Sequence, residues 1–265
     1  MTKPAGGMNT SANGHANPTS GWMLQAARVR DAYTALHADF CAWNPSPAFR
    51  DIFRTAVLDD LRRRLGEQPI VRVLDIGCGH GTWAEELAGA VELAERRIEY
   101  LGIDLAPSRI EAARQRFARR TNFRFETADA DAFDPPHRYD LLLAIEVLVH
   151  VPAQRHRDWL HRWHDWLRPG GYVVIIDKDR YSRHALRLRL DRFNLRYLPG
   201  FLRRKRPLFP EHFAPLMQTL CYPSFAYLAR IADEAGFHVH LIRHRQAFRA
   251  LTLERRRPER RCIVH

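Results

Sequence analysis

The sequence predicts an α/β fold: a doubly wound, mostly parallel seven-stranded sheet with a helical N-terminal lid and a helical insertion before the last helix and hairpin. Three observations carry that reading. Short β-rich runs alternate with stretches of helical spacing from residue 71 to residue 176, the rhythm of successive strand–helix–strand units. The run Leu141-Leu142-Leu143-Ala144-Ile145 is apolar without alternation, as expected of a strand covered on both faces. A chain of 265 residues, 46% hydrophobic and 27% charged, buries a full core but seldom supports more than one large domain.

Taken in order, residues 1–21 are rich in Gly, Asn, Ser, Thr and Pro without apolar periodicity, and are expected to form a disordered leader. Residues 22–66 place Leu24, Val29, Tyr33 and Leu36, then Phe49, Phe53, Val57 and Leu61, at helical spacing. Asn44-Pro45-Ser46-Pro47 interrupts them, so two helices around a turn are predicted, forming the lid. The main domain takes residues 67–181 and 223–254. Its strands are expected at 71–76, 100–104, 123–126, 141–145 and 172–176, with helices near 82–93, 108–119 and 153–167. Residues 182–222 break the rhythm with Arg-rich helical spacing and then Pro199, Pro207, Pro210 and Pro215, and are read as a basic, aromatic insertion that caps the substrate. A helix near 224–235, stopped by Gly236, leads into strands at 237–242 and 247–253, a hairpin on the sheet edge. Residues 255–265 form a charged tail.

No run of about 18 apolar residues is present to span a bilayer, and the first 21 residues lack the apolar centre of a secretory signal, so a cytoplasmic protein is expected. The four cysteines, Cys41, Cys78, Cys221 and Cys262, make no CxxC pair and suggest neither a disulfide framework nor a metal site. The formal charge of +12 raises nucleic acid or anionic membrane as partners. Only Lys3, Lys178 and Lys205 are lysines among the 42 basic residues, a skew toward arginine read as GC-rich coding rather than a selected binding surface.

The strongest local signal is Leu74-Asp75-Ile76-Gly77-Cys78-Gly79-His80-Gly81-Thr82, where a hydrophobic strand enters a glycine-dense turn that opens a helix. It resembles the D-x-G-x-G-x-G motif of class I S-adenosylmethionine-dependent methyltransferases, and not the G-x-G-x-x-G spacing of dinucleotide sites. Four further segments resemble that superfamily in order: Gly102-Ile103-Asp104, Thr127-Ala128-Asp129-Ala130, the run from Tyr139 to Val151 ending in His150-Val151, and Leu167-Arg168-Pro169-Gly170-Gly171. The resemblance spans roughly residues 71–177 and implies a Rossmann-like sheet. It further implies that Asp75 organises a loop whose Gly77, Gly79 and Gly81 hold the methionine part of S-adenosylmethionine. Asp104 would accept from the ribose hydroxyls, Asp129 and Ala130 would read the adenine with Asp131 leaving the neighbouring register open, and Ala144 and Ile145 would border the cofactor.

Two residues are candidates for the chemistry. His150 is a general base for an acceptor hydroxyl or a hydrogen-bonded structural histidine. Tyr33 closes a lid over cofactor and acceptor, or is an ordinary packed tyrosine. The insertion and its flanks add Tyr181, Tyr197, Phe201, Phe209, His212, Phe213 and Tyr222 beside Arg203, Arg204 and Arg206, a mixture suited to an aromatic or anionic substrate. The expected function is methyl transfer from S-adenosylmethionine, leaving S-adenosylhomocysteine, to a small aromatic or natural-product acceptor, on oxygen ahead of nitrogen. Two alternatives stay open. The basic charge favours RNA methylation, although the fourth strand ends in Ile145-Glu146-Val147-Leu148 and not in an Asn-Pro-Pro-Tyr-like loop. A non-catalytic protein, or one docking on membranes through the basic stretch 183–196, would use the same fold.

Overall fold

The computed structural model describes residues 18–59, 61, 70–92, 97–183, 185–186 and 211–256. The leader up to residue 17, most of the insertion, with Tyr197, Phe201, Phe209 and the three arginines at 203, 204 and 206, and the tail beyond residue 256 lie outside them.

Three helices precede the sheet: α1 (Pro18–Ala35), α2 (His37–Cys41) and α3 (Pro47–Phe53), the last continued by one π-helical turn over Arg54–Leu58. Ser46 starts α3 by accepting from the Phe49 N–H at 3.3 Å, with Pro47 in the first turn where no N–H is needed. The buried stripe of α1 is Trp22, Ala26, Val29 and Ala32, followed by Leu36. Leu24, expected on that stripe, is 56% exposed, because it lies five residues from Val29 and so on another side of the helix.

The main domain runs β1 (Ile70–Ile76), α4 (Thr82–Glu92), β2 (Arg97–Asp104), α5 (Pro107–Arg116), β3 (Phe123–Thr127), β4 (Tyr139–Ile145), α6 (His156–Trp166) and β5 (Leu167–Lys178). After the insertion come α7 (Ala214–Gln218), α8 (Phe225–Glu234), β6 (Phe237–Arg245) and β7 (Phe248–Arg255). One seven-stranded sheet results, in the order β3-β2-β1-β4-β5-β7-β6. The first five strands are parallel, whereas β7 lies antiparallel to β5 and β6 antiparallel to β7. The strand order reverses between β1 and β4, and open sheets of this kind bind their ligands at the carboxyl ends beside such a switch.

Alternate residues of each strand feed two cores. Val73, Leu141, Leu143, Tyr172 and Val174 pack with Phe49, Phe53, Trp83 and Leu87, while Leu74, Ile76, Leu142, Val173 and Ile175 pack with Trp159, Trp163, Phe225 and Leu228. Both faces are therefore covered, which explains why β4 reads as an unbroken apolar run. The Arg180 N–H donates to the Pro223 carbonyl at 2.8 Å, so the chain leaves the sheet and returns to it at one place. The described end of the excursion meets the lid: Ala32 of α1 and Leu36 just after it pack on Leu216 of α7, with Tyr33, Phe40 and Phe213 against them.

Candidate active site

The glycine loop after β1 follows from its backbone. Gly77 has φ +69°, and a Cβ there would stand 2.7 Å from Val147 Cγ2; Gly79 has φ +59°, and a Cβ would meet the Arg109 guanidinium at 2.6 Å. The loop is tied to β2, because the N–H groups of Gly77 and Cys78 both reach the Ile103 carbonyl, at 2.8 and 3.1 Å. Beneath it, Asp75 is fully buried and accepts from the Tyr100 hydroxyl at 2.5 Å. Burial pushes its carboxyl up to about 7, against the lowering effect of that hydrogen bond.

Asp104 closes β2 and organises the same loop. Its Oδ2 accepts from the Gly79 N–H and its Oδ1 from the Ala106 N–H, each at 2.9 Å, while Arg109 Nη1 stands 3.7 Å away. A carboxylate offers about four lone-pair directions, so two remain for a ligand. Arg109 was not singled out in the sequence. It lies over the Tyr33 ring at 4.4 Å and the Phe40 ring at 5.3 Å, joining α5 to the lid.

Two cavities meet here. The smaller is lined by Ile76, Gly77, Asp104, Ala128, Asp129 and Ala130, under Trp22 and Trp159, whose rings cross edge to face at 5.5 Å. The larger, of about 430 Å³, has walls of Phe40, Trp43, Phe49, Trp83, Phe213 and Tyr222. Tyr33, Gly77, Arg109, Glu146 and His150 line both, and so form the partition between them.

At that partition the Tyr33 hydroxyl and His150 Nε2 are 2.9 Å apart. His150 Nδ1 is 2.9 Å from the Thr219 hydroxyl, which itself donates to the Leu216 carbonyl at 2.7 Å. Burial first, then the cations Arg109 and Lys178, lower the imidazole to about 3. Burial raises the Tyr33 phenol well above its ordinary value, with Arg109 opposing. Glu146, with φ +54°, is ion-paired to Lys178, whose ammonium lies 4.8 Å from the Phe248 ring centre. Asp177, the residue before, is buried and pushed up to about 7 by burial, although its two oxygens accept from the Val149 and Lys178 N–H groups at 2.8 Å.

Of the residues singled out in the sequence, Gly77, Asp104, Asp129, Ala130, Tyr33 and His150 line the smaller cavity. Ile145 lines the larger one. Ala144 lies on the α6 side of the sheet, opposite to Ile145, wholly buried and lining neither. Asp75, Gly79 and Gly81 shape the loop from below and beside it. Asp131 is taken up elsewhere, held by Arg155, Arg162 and the Trp159 indole N–H, while Asp129 faces the cavity. Around the larger cavity, Phe213 and Tyr222 contribute walls, His212 pairs with Asp39 at 3.4 Å and Tyr181 is 75% exposed. Glu146, Lys178 and Thr219 escaped sequence reasoning; the one available signal was Lys178, a rare lysine in an arginine-rich chain.

A methyltransferase-domain family model matches residues 26–242. The ubiquinone biosynthesis O-methyltransferase of Leptothrix cholodnii is 29% identical over 150 residues, which are 54% of this chain and 60% of that protein. The trans-aconitate 2-methyltransferase of Methylobacterium radiotolerans is 31% identical over 148 residues, 55% of this chain and 53% of that one. The chain thus spans little more than half the length of these curated relatives. Among solved structures, a magnesium protoporphyrin IX methyltransferase from Synechocystis with S-adenosylhomocysteine bound superposes with a TM-score of 0.60 at 18% identity, covering 86% of this chain and 99% of that one. No helix among the described residues is long and apolar enough to cross a membrane. With the sheet order, the glycine loop and a family model matching most of its length, the chain belongs to the class I S-adenosylmethionine-dependent methyltransferases.

Proposed function

We propose that this chain transfers the methyl group of S-adenosylmethionine to an oxygen of a small aromatic acceptor, with His150 as the general base. The observation that carries this reading is the position of His150 and Tyr33 on the one wall shared by both cavities. The smaller cavity suits the cofactor: a glycine at residue 77 leaves its wall bare, Asp104 keeps two lone-pair directions for ribose hydroxyls, and Asp129 with the Ala130 N–H can meet the adenine edge. When bound, the cofactor supplies an electrophilic methyl on a sulfonium.

The larger cavity suits the acceptor. Phe40, Trp43, Phe49, Trp83, Phe213 and Tyr222 give it aromatic walls, and the lid and the end of the insertion meet at its side. Held neutral by burial, His150 has a free nitrogen lone pair down to about pH 3. Such a ring is a weak base toward an unreacting hydroxyl. It suffices once the oxygen commits its electron pair to a new bond, because the hydroxyl then becomes strongly acidic. Without acceptor, the Tyr33 phenol holds the same nitrogen, and the acceptor hydroxyl takes its place.

The test is incubation with methyl-labelled S-adenosylmethionine and the small-molecule, RNA and protein fractions of a bacterial lysate. Label in small molecules, lost in His150→Ala, is expected. Label in RNA or protein overturns the reading.

A further inference from the structure

The proton arrangement on His150 can be deduced from its neighbours, and the residue that sets it lies 69 positions away in the chain. A hydroxyl has one hydrogen. That of Thr219 is committed to the Leu216 carbonyl at 2.7 Å, so toward His150 the Thr219 oxygen can only accept. With the hydroxyl hydrogen on that carbonyl, His150 Nδ1, 2.9 Å from the Thr219 oxygen, carries the hydrogen. In a neutral ring, hydrogen on Nδ1 leaves Nε2 as a bare lone pair. Nε2 is the nitrogen turned toward the partition, 2.9 Å from the Tyr33 hydroxyl, which in this arrangement donates to it.

We propose that Thr219 is a positioning residue that fixes His150 as the tautomer able to take a proton at Nε2. The assignment rests on the proposed base role of His150 and extends it to the group behind the base. Thr219 is 1% exposed, so no bulk water competes for Nδ1. Gln25 of α1 holds the pair together: its side-chain NH₂ has two hydrogens and donates to the Thr219 carbonyl at 2.8 Å and the His150 carbonyl at 3.2 Å. The lid thus clamps the loop after β4 to the end of the insertion. During transfer the acceptor O–H bond breaks and its proton moves to the Nε2 lone pair, while an oxygen electron pair forms the new bond to the methyl carbon and that carbon's bond to sulfur breaks, its pair leaving on the sulfur. The resulting imidazolium keeps its Nδ1 hydrogen on Thr219, and the Nε2 proton returns to solvent after product leaves.

The chemistry differs from that of a general packing role. In Thr219→Val, Nδ1–H faces a methyl group, and an unsatisfied buried donor costs about 1–3 kcal/mol. The ring then favours hydrogen on Nε2, donating to Tyr33, and the reactive tautomer falls about 5- to 150-fold. Thr219→Ser keeps the oxygen.

The experiment compares wild type, Thr219→Val, Thr219→Ser and His150→Ala in the full chain, by turnover on the acceptor found with labelled cofactor and by ¹⁵N resonance of His150. The expected result is hydrogen on Nδ1 in wild type and Thr219→Ser, hydrogen shifted to Nε2 in Thr219→Val, loss of turnover in His150→Ala, and a fall in kcat in Thr219→Val but not Thr219→Ser, with acceptor KM and cofactor Kd unchanged. Wild-type kcat in Thr219→Val beside an inactive His150→Ala overturns the positioning role and leaves the base intact. A fully active His150→Ala overturns the base itself. A wild-type ring with hydrogen on Nε2 overturns the tautomer assignment whatever the kinetics.

Discussion

Replacing Tyr33 with phenylalanine separates a lid that guards the base from a group that takes part in proton transfer. The ring, its packing on Phe40 at 5.0 Å and its contact with Arg109 at 4.4 Å survive the change; only the hydroxyl 2.9 Å from His150 Nε2 is lost. In the free protein, Nε2 is then a buried acceptor without its donor, at a cost of about 1–3 kcal/mol. For a chain of this size that lowers the melting temperature by about 2–10 °C. An acceptor no longer has to break the Tyr33 hydrogen bond in order to reach Nε2. With a net worth of about 0.5–1.5 kcal/mol for such a bond, acceptor affinity rises by about 2- to 10-fold. The assays are thermal melting without ligands and steady-state kinetics with the labelled acceptor. Turnover lost to the extent seen in His150→Ala would refute the reasoning, since it would place the phenol in the path of the proton.

Three further outcomes follow from the site. Asp104→Ala removes a carboxylate that anchors the glycine loop as well as facing the smaller cavity, so S-adenosylmethionine affinity falls at least about 100-fold by calorimetry, two charge-assisted hydrogen bonds being worth about 3 kcal/mol or more; unchanged affinity contradicts the assignment. Gly77→Ala sets a Cβ 2.7 Å from Val147 Cγ2 at φ +69°, costing at least about 1 kcal/mol in backbone strain alone and weakening cofactor binding, both readable by melting with and without S-adenosylhomocysteine. Asp75, whose folded value of about 7 lies above its unfolded 3.8, contributes stability that is complete below about pH 3.8 and is lost as pH rises through 7. Wild type therefore loses more melting temperature between pH 5 and pH 8 than Asp75→Asn does; parallel curves would show that the carboxyl ionises normally.

The sheet was legible in the sequence because each strand carries its own signal. A strand covered on both faces must be apolar throughout, as β4 is, and the loop after β1 needs left-handed backbone that glycine supplies. The turn before α3 was legible for the same local reason, since Ser46-Pro47 is a helix start in itself. Leu24 misled because spacing in a mostly polar, alanine-rich helix does not say which stripe is covered, and small Ala26 and Ala32 do the packing. Sequence spacing does not separate Asp129 from Asp131; in the structure Trp159 and Arg162 of α6, with Arg155 just before it, hold Asp131, while Asp129 lines the smaller cavity. Ala144 was expected at the cofactor because the run from Tyr139 to Val151 resembles the family's fourth strand; it lies on the face of the sheet that carries the smaller cavity, but wholly buried and lining neither cavity.

Tyr33 and His150 were each singled out in the sequence, but Thr219 was not, and neither was the contact that joins the three. Tyr33, His150 and Thr219 come from the lid, the loop after β4 and the end of the insertion, and no local spacing relates them. Arg109 reads as one of many arginines until α5 brings it between Asp104 and Tyr33.

The central claim is that cofactor and acceptor occupy the two cavities on either side of His150. Diffraction from crystals grown with S-adenosylhomocysteine tests it most directly. The account predicts the ribose hydroxyls on Asp104, the adenine beside Asp129 and Ala130, and the larger cavity left open beyond Tyr33 and His150. S-adenosylhomocysteine bound away from Asp104, or filling the aromatic cavity instead, would contradict it.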